Sequence, residues 1–141
     1  MTYYSTQAAP VPKGVNISIW AAQVLGAAMF ILPGLMKATM PIPELAAMMP
    51  FAGEYSAAFV RFVGLVDIAG GLGLLLPSLT RIMPRLTVIA AAGCVLLQVL
   101  AIGFHAMRGE FDALPVNLVY IALSLFVLWG RGSKAPIAPR S

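Results

Sequence analysis

The sequence predicts an all-α fold: a transmembrane four-helix bundle, up-down-up-down, with a short interfacial segment between spans 1 and 2. Three observations lead there. The chain is 60% hydrophobic and 10% charged, with a mean hydropathy of +0.91, well above the apolar share and below the charged share of soluble domains. Its 141 residues hold about four spans of ~20 residues with short connections. The apolar runs are separated by prolines, glycines and basic residues, the punctuation of helix ends in a membrane.

Residues 1–15 read as a polar, Pro-containing tail, residues 16–131 as the helical domain and residues 132–141 as a second, cationic tail. The first span is expected over residues 17–35; its apolar part exceeds the usual 7–15-residue core of a signal peptide, so it reads as a retained span. Pro33-Gly34 is expected to bend or end it ahead of Lys37, whose ammonium can extend to the interface. Residues 40–53, MPIPELAAMMPFAG, hold three prolines. They are too short to span and too apolar for a free loop, which predicts an interfacial turn of helix.

The second span is expected over residues 55–76, stopped by Pro77-Ser78. Arg81 and Arg85 flank a short connection to the third, over residues 86–104, which ends at His105. The fourth, residues 114–129, follows MRGEFDA and runs into RGSKAPIAPRS. An even number of spans puts both termini on one side with Lys13, Arg81, Arg85, Arg131, Lys134 and Arg140. The other side holds Lys37 and Arg108 with Glu44, Glu54, Glu110 and Asp112. Basic residues collect in the cytoplasm, so both termini are expected there. The net charge of +4 therefore reads as topology signals rather than a nucleic-acid patch. One cysteine, Cys94, excludes an internal disulfide, a CxxC pair and a Cys-based metal site, and one histidine excludes a two-His haem within the chain. Cys94 itself reads as a small apolar side chain.

The central stretch is RFVGLVDIAGGLGLLLP, residues 61–77, an apolar run carrying Arg61 and, near its middle, Asp67. Each costs roughly 2.5–3.5 kcal/mol at the centre of a membrane helix, so such residues face a bundle interior and mark function. Gly64, Gly70, Gly71 and Gly73 suggest close helix contact, because small residues admit a second backbone. Counting inward at 1.5 Å per residue puts Arg61 and Gln98 roughly 9–10 Å deep, Asn117 roughly 5 Å, and Asp67 roughly 18 Å, near the level of Gln23. With Lys37 and His105 at the rim, these residues predict a polar cleft open to the outside. Cys94, Gln98 and His105 share one helix face by spacing. Arg61 and Asp67 lie roughly 120° apart on the wheel, so Asp67 needs a partner from another helix, a water or a proton. The candidate ligand-binding residues are thus Asp67, Arg61, His105, Gln98, Gln23, Lys37 and Asn117. For Gln23, Gln98 and Asn117 the competing reading is a hydrogen bond between helices; for His105 it is an interfacial role.

The run RFVGLVDIAGGLGLLLPSLTRIMPRLTVIAAAG, then AIGFHAMRGE, N-x-V at Asn117 and FVLWGR, with Gly34-x-x-Lys37 before them, resembles the DoxX-like family of small bacterial four-span membrane proteins. The resemblance covers about residues 20–131. The family commonly has Glu where this chain has Asp67, a carboxylate one methylene longer. Relatives include a membrane subunit of thiosulfate:quinone oxidoreductase, components associated with thiol and superoxide defence, and an animal receptor-assembly chaperone.

Two functions of different class follow. The leading one is a membrane subunit of a quinone-linked or oxidative-stress redox system, with Asp67, Arg61 and His105 at a quinone head group in the polar cleft; no self-contained catalytic constellation accompanies it. The other is a non-catalytic assembly protein whose glycine face binds another helix. A small transporter is the weaker third, since one buried carboxylate in a lone bundle offers little machinery for alternating access. The implied partners are the lipid bilayer, a membrane or redox protein and a second copy of the chain.

Overall fold

The computed structural model describes residues 10–140; the first part of the expected N-terminal tail, residues 1–9, and residue 141 lie outside the described residues. Helices α1 (Lys13–Thr39), α2 (Ile42–Met48), α3 (Ala57–Thr80), α4 (Arg85–Met107) and α5 (Leu114–Trp129) follow one another, with 3₁₀ turns before α3 and α5 and a π-turn after α5. Four segments, Lys13–Thr39, Ala57–Thr80, Arg85–Met107 and Phe111–Lys134, are long and apolar enough to cross a membrane. Each spanning helix packs on the next and α5 returns to α1, which closes a four-helix ring. α2 and the 3₁₀ turn Pro50–Gly53 form the short segment expected between the first two spans. They are pinned by Leu45, Ala52 and Val60 with Met36, Met40 and Phe51 around them.

α3 is the central helix, and its glycines explain why. A Cβ placed on Gly64 would lie 2.7 Å from the Gly34 carbonyl oxygen and 2.8 Å from the Ala38 nitrogen, and one on Gly71 would lie 2.6 Å from Ile31. Those two glycines seat α3 against α1 at backbone contact. Gly70 and Gly73 do the same toward α4, where added methyls would meet Cys94 Sγ at 3.0 Å and Ala90 Cβ at 2.6 Å. The glycine face is therefore consumed inside the bundle, and the expectation that it binds another chain's helix is corrected. The reason is that the glycines face both ways around α3 and both of its neighbours bring small residues or bare backbone.

Two prolines do not end their helices. α1 continues through Pro33 to Thr39 and α3 through Pro77 to Thr80, where breaks were expected. A proline lacks an N–H and orphans the carbonyl four residues back, and in a bilayer that group must find a donor from a neighbour. At Pro33 the orphan is Met29, and the Tyr120 hydroxyl of α5 donates to its oxygen at 2.5 Å. The Phe30 ring meets Tyr120 edge-on at 4.8 Å and steadies that donor. At the start of α3, Ser56 caps the helix by accepting the Phe59 N–H at 3.2 Å.

Candidate functional site

The polar residues singled out in the sequence gather into separate groups. The first joins α1 to α3. Lys37, in the last turn of α1, donates to Asp67 Oδ2 at 2.7 Å, and Asp67 is buried at 6% exposure. The Lys37 carbonyl would ordinarily accept an N–H four residues on, but that position is Pro41. Arg61 supplies the missing donor, its Nη1 reaching the Lys37 oxygen at 2.9 Å. Lys37 is thus held at both ends by α3: ammonium to carboxylate, carbonyl to guanidinium. The chain brings Asp67, Lys37 and Arg61 together without Arg61 and Asp67 having to meet.

The second group ties α4 to α5. Asn117 Nδ2 donates to Gln98 Oε1 at 2.9 Å, both residues buried at 7% exposure. The register of α4 on α3, set by Gly70 against Cys94 and Gly73 against Ala90, brings Gln98 to about the level of Asp67. The interior is polar in one layer of the bundle, with each group there answered by another. Cys94 is buried as a packing residue beside Gly70.

His105 and Gln23 stand apart from that layer. His105 belongs to the end of the bundle opposite the described termini, where Arg108 is hydrogen-bonded to Glu110 and also donates to Glu54 at 2.5 Å, over the rings of Tyr55 and Phe104. Hydrogen bonding to Arg108 holds the Glu54 carboxyl below its ordinary 4.5, and the two carboxylates raise the Arg108 guanidinium. His105 Nδ1 is 3.6 Å from Glu110 Oε2, too long for a hydrogen bond, and has no partner among the described residues.

Gln23 lies toward the opposite end. Its Nε2 donates to the Leu74 carbonyl at 2.7 Å, which is seven residues, roughly 10 Å, along α3 from Asp67. The expectation that Gln23 and Asp67 share one level is corrected. Depth counted from the ends of spans assumes that helices begin in one plane. Gly34 faces Asp67 only five residues from the end of α1, whereas Asp67 is ten residues into α3; α3 overhangs its neighbour by roughly 7 Å. Along the expected cleft, Asp67 pairs with Lys37, Arg61 with the Lys37 carbonyl and Gln98 with Asn117. Two cavities elsewhere, of about 450 and 590 Å³, are lined by none of Asp67, Lys37, Arg61, Gln98, Asn117 and His105.

One residue escaped the sequence reading. Arg131 counts as a topology cation by position, yet it is 3% exposed. Its Nε donates to Gln23 Oε1 at 2.7 Å, and its Nη1 donates to Asn16 Oδ1 and the Ala135 carbonyl, each at 2.9 Å. The Trp20 ring covers the guanidinium at 4.8 Å. Asn16, Trp20 and Gln23 are four and three residues apart, one helical face. That polar face at the start of α1 is the signal that calls for a buried partner.

A ring of four membrane-spanning helices, with an ion pair between α1 and α3 and a short helical segment between the first two spans, defines a small multi-pass integral membrane protein. The sequence profile of the DoxX-like family matches residues 21–127, and the chain belongs to that family. No curated protein and no solved structure gives a significant match.

Proposed function

We propose that the protein is a non-catalytic assembly component of a bacterial inner membrane, with both termini cytoplasmic, whose ionisable interior fixes the bundle and whose outer faces serve a membrane partner. The observation that carries this reading is the Asp67–Lys37–Arg61 chain, in which Lys37 is bonded at both ends by α3. Against a quinone head group at Asp67 stand the engagement of Oδ2 by Lys37 and the close approach of α1 to α3 beside it. A methyl on Gly34 would lie 2.9 Å from both the Gly64 oxygen and Ile68. Breaking a buried ion pair by removal of one partner costs roughly 3–5 kcal/mol, which a fold-holding role explains.

A second reading, a membrane subunit of a quinone-linked or oxidative-stress redox system, is favoured by one observation at a different place. His105 offers an unpartnered Nδ1 at the outer rim beside Glu110. A ligand or partner would meet that imidazole rather than Asp67.

Gentle detergent purification of the full chain, followed by mass spectrometry of what accompanies it, separates the two. A stoichiometric membrane protein with no small molecule is the expected result. A stoichiometric quinone that is lost on His105→Ala, with no protein partner, would overturn the assembly reading.

A further inference from the structure

At the end of the bundle that carries both described termini, a cavity of about 450 Å³ opens beside Arg131. Asn16 and Trp20 of α1, Ser78 near the end of α3, Arg81 and the returning segment Ala135–Ala138 line it. Arg131 is 97% buried by complement of its 3% exposure, and every acceptor it has is neutral: an amide oxygen from Gln23, another from Asn16 and the Ala135 carbonyl. Its Nη2 has no partner among the described residues. Among the described residues no carboxylate lines the cavity, and the acidic side chains of the chain, Glu44, Glu54, Asp67, Glu110 and Asp112, are on other parts of the fold. A buried guanidinium without a counter-charge is costly, and Arg81 adds a second cation at the rim.

The cavity also has an apolar continuation. Trp20 is shared with a groove of about 590 Å³ along the outer face of α1, lined by Ile17, Ala21, Val24, Leu25 and Ala28. A charged, roomy head site thus meets an apolar track at one tryptophan, the residue type that favours membrane interfaces.

We infer that this cavity binds the phosphate head group of an anionic membrane lipid, with an acyl chain laid along the Ile17–Ala28 face of α1. With Nε and Nη1 engaged, Nη2 keeps its N–H donors for a charge-assisted hydrogen bond to a phosphate oxygen, and basic pockets between spanning helices on the cytoplasmic side hold anionic lipid head groups. A free phosphate would engage Arg131 and Arg81 but leave the groove unused. The lipid accounts for both halves. The site is independent of the outer rim and of the Asp67 ion pair.

The test compares three probes on the purified full chain in detergent, by native mass spectrometry and thermal melting: phosphatidylglycerol, phosphatidylcholine with the same acyl chains, and inorganic phosphate. Phosphatidylglycerol should bind roughly tenfold or more tightly than phosphatidylcholine, the worth of a charge-assisted hydrogen bond, and should raise the melting temperature where phosphate does not. Arg81→Gln, at the exposed rim, and Arg131→Lys, which keeps the charge and loses the fork, should each reduce the preference several-fold. Arg85→Gln, basic and at the same end but outside the cavity, should leave it unchanged. Should Arg131→Lys not accumulate, Arg81→Gln decides. Equal binding of the two lipids overturns the proposal, as does stabilisation by inorganic phosphate alone. Equal losses from Arg85→Gln and Arg81→Gln would show general attraction to a basic surface and overturn it too.

Discussion

Lys37 Nζ stands 2.7 Å from Asp67 Oδ2, and the carbonyl of the same lysine accepts Arg61 Nη1 at 2.9 Å. One residue in the last turn of α1 is therefore gripped twice by α3, and the second grip exists because Pro41 cannot give Lys37 its helical hydrogen bond. The charge in the core and the proline at the helix end are two parts of one joint. The backbone contact of Gly34 with Gly64 places the two helices close enough for the short Asp67 side chain to complete it.

That contact makes the glycines unequal. Gly64→Ala should destabilise the bundle by about 1–3 kcal/mol, the cost of overpacking, because the added methyl would meet backbone atoms of Gly34 and Ala38, which do not yield. Gly93→Ala on α4 should be neutral or slightly stabilising, since nothing lies within 4 Å of its added Cβ. Melting of the two variants in one detergent checks the contrast.

Polar pairs inside the bundle should be worth less than the ion pair. Asn117→Ala removes the donor to Gln98 and should cost about 0.6 kcal/mol, at most near 1.7. Asn117→Leu with Gln98→Leu should recover most of it, because neither amide is then left unpaired. Thermal melting of single and double variants measures both.

At the outer rim, hydrogen bonding from Arg108 depresses the Glu54 carboxyl below 4.5. A depressed acid contributes stability above its unfolded value, and that contribution is lost as pH falls through the folded value. The Glu54–Arg108 contribution should therefore be intact at neutral pH and disappear below about 4.5. Carboxylate NMR should find the Glu54 midpoint below 4.5 in the native chain and nearer to it in Arg108→Gln.

The fold was legible to the extent that period and punctuation dictate it. Four apolar runs of membrane length, the short segment rich in proline, and the glycines around Asp67 each announce a physical constraint that the bundle obeys. Pro33 and Pro77 misled because a proline does not have to end a helix that is packed in a bundle, where a neighbouring helix can supply a donor to the orphaned carbonyl. For Pro33 the donor is Tyr120, 91 residues away from Met29, beyond the reach of any local pattern. The level of Gln23 was unreadable for a related reason: the offset of α3 past α1 is set by where their glycines dock, not by where either helix starts. Arg131 looked like every other cation at a span end. Its burial depends on Gln23 and Asn16 offering oxygens from the far end of the chain.

Orientation follows from the distribution of cations rather than from the coordinates. Reporter fusions at both ends should give cytoplasmic signals, and the Arg81–Arg85 connection should be shielded from a reagent that does not cross the membrane. A reporter on the opposite side at either terminus would contradict the expected topology.

The most direct test of a structural ion pair is a melting comparison of native chain, Lys37→Met, Asp67→Leu and the double variant in one detergent. Each single change leaves a charge without its partner. Lys37→Met should cost about 2–3 kcal/mol, below the value for a fully buried pair because this lysine sits near a helix end. Asp67→Leu should cost less, because the freed ammonium can snorkel to the interface while the short carboxylate of the other variant has no such path. The double variant should recover most of the larger loss, which requires a coupling energy of roughly 2–3 kcal/mol. Losses that simply add, with a double variant worse than either single, would contradict a pair that holds α1 to α3.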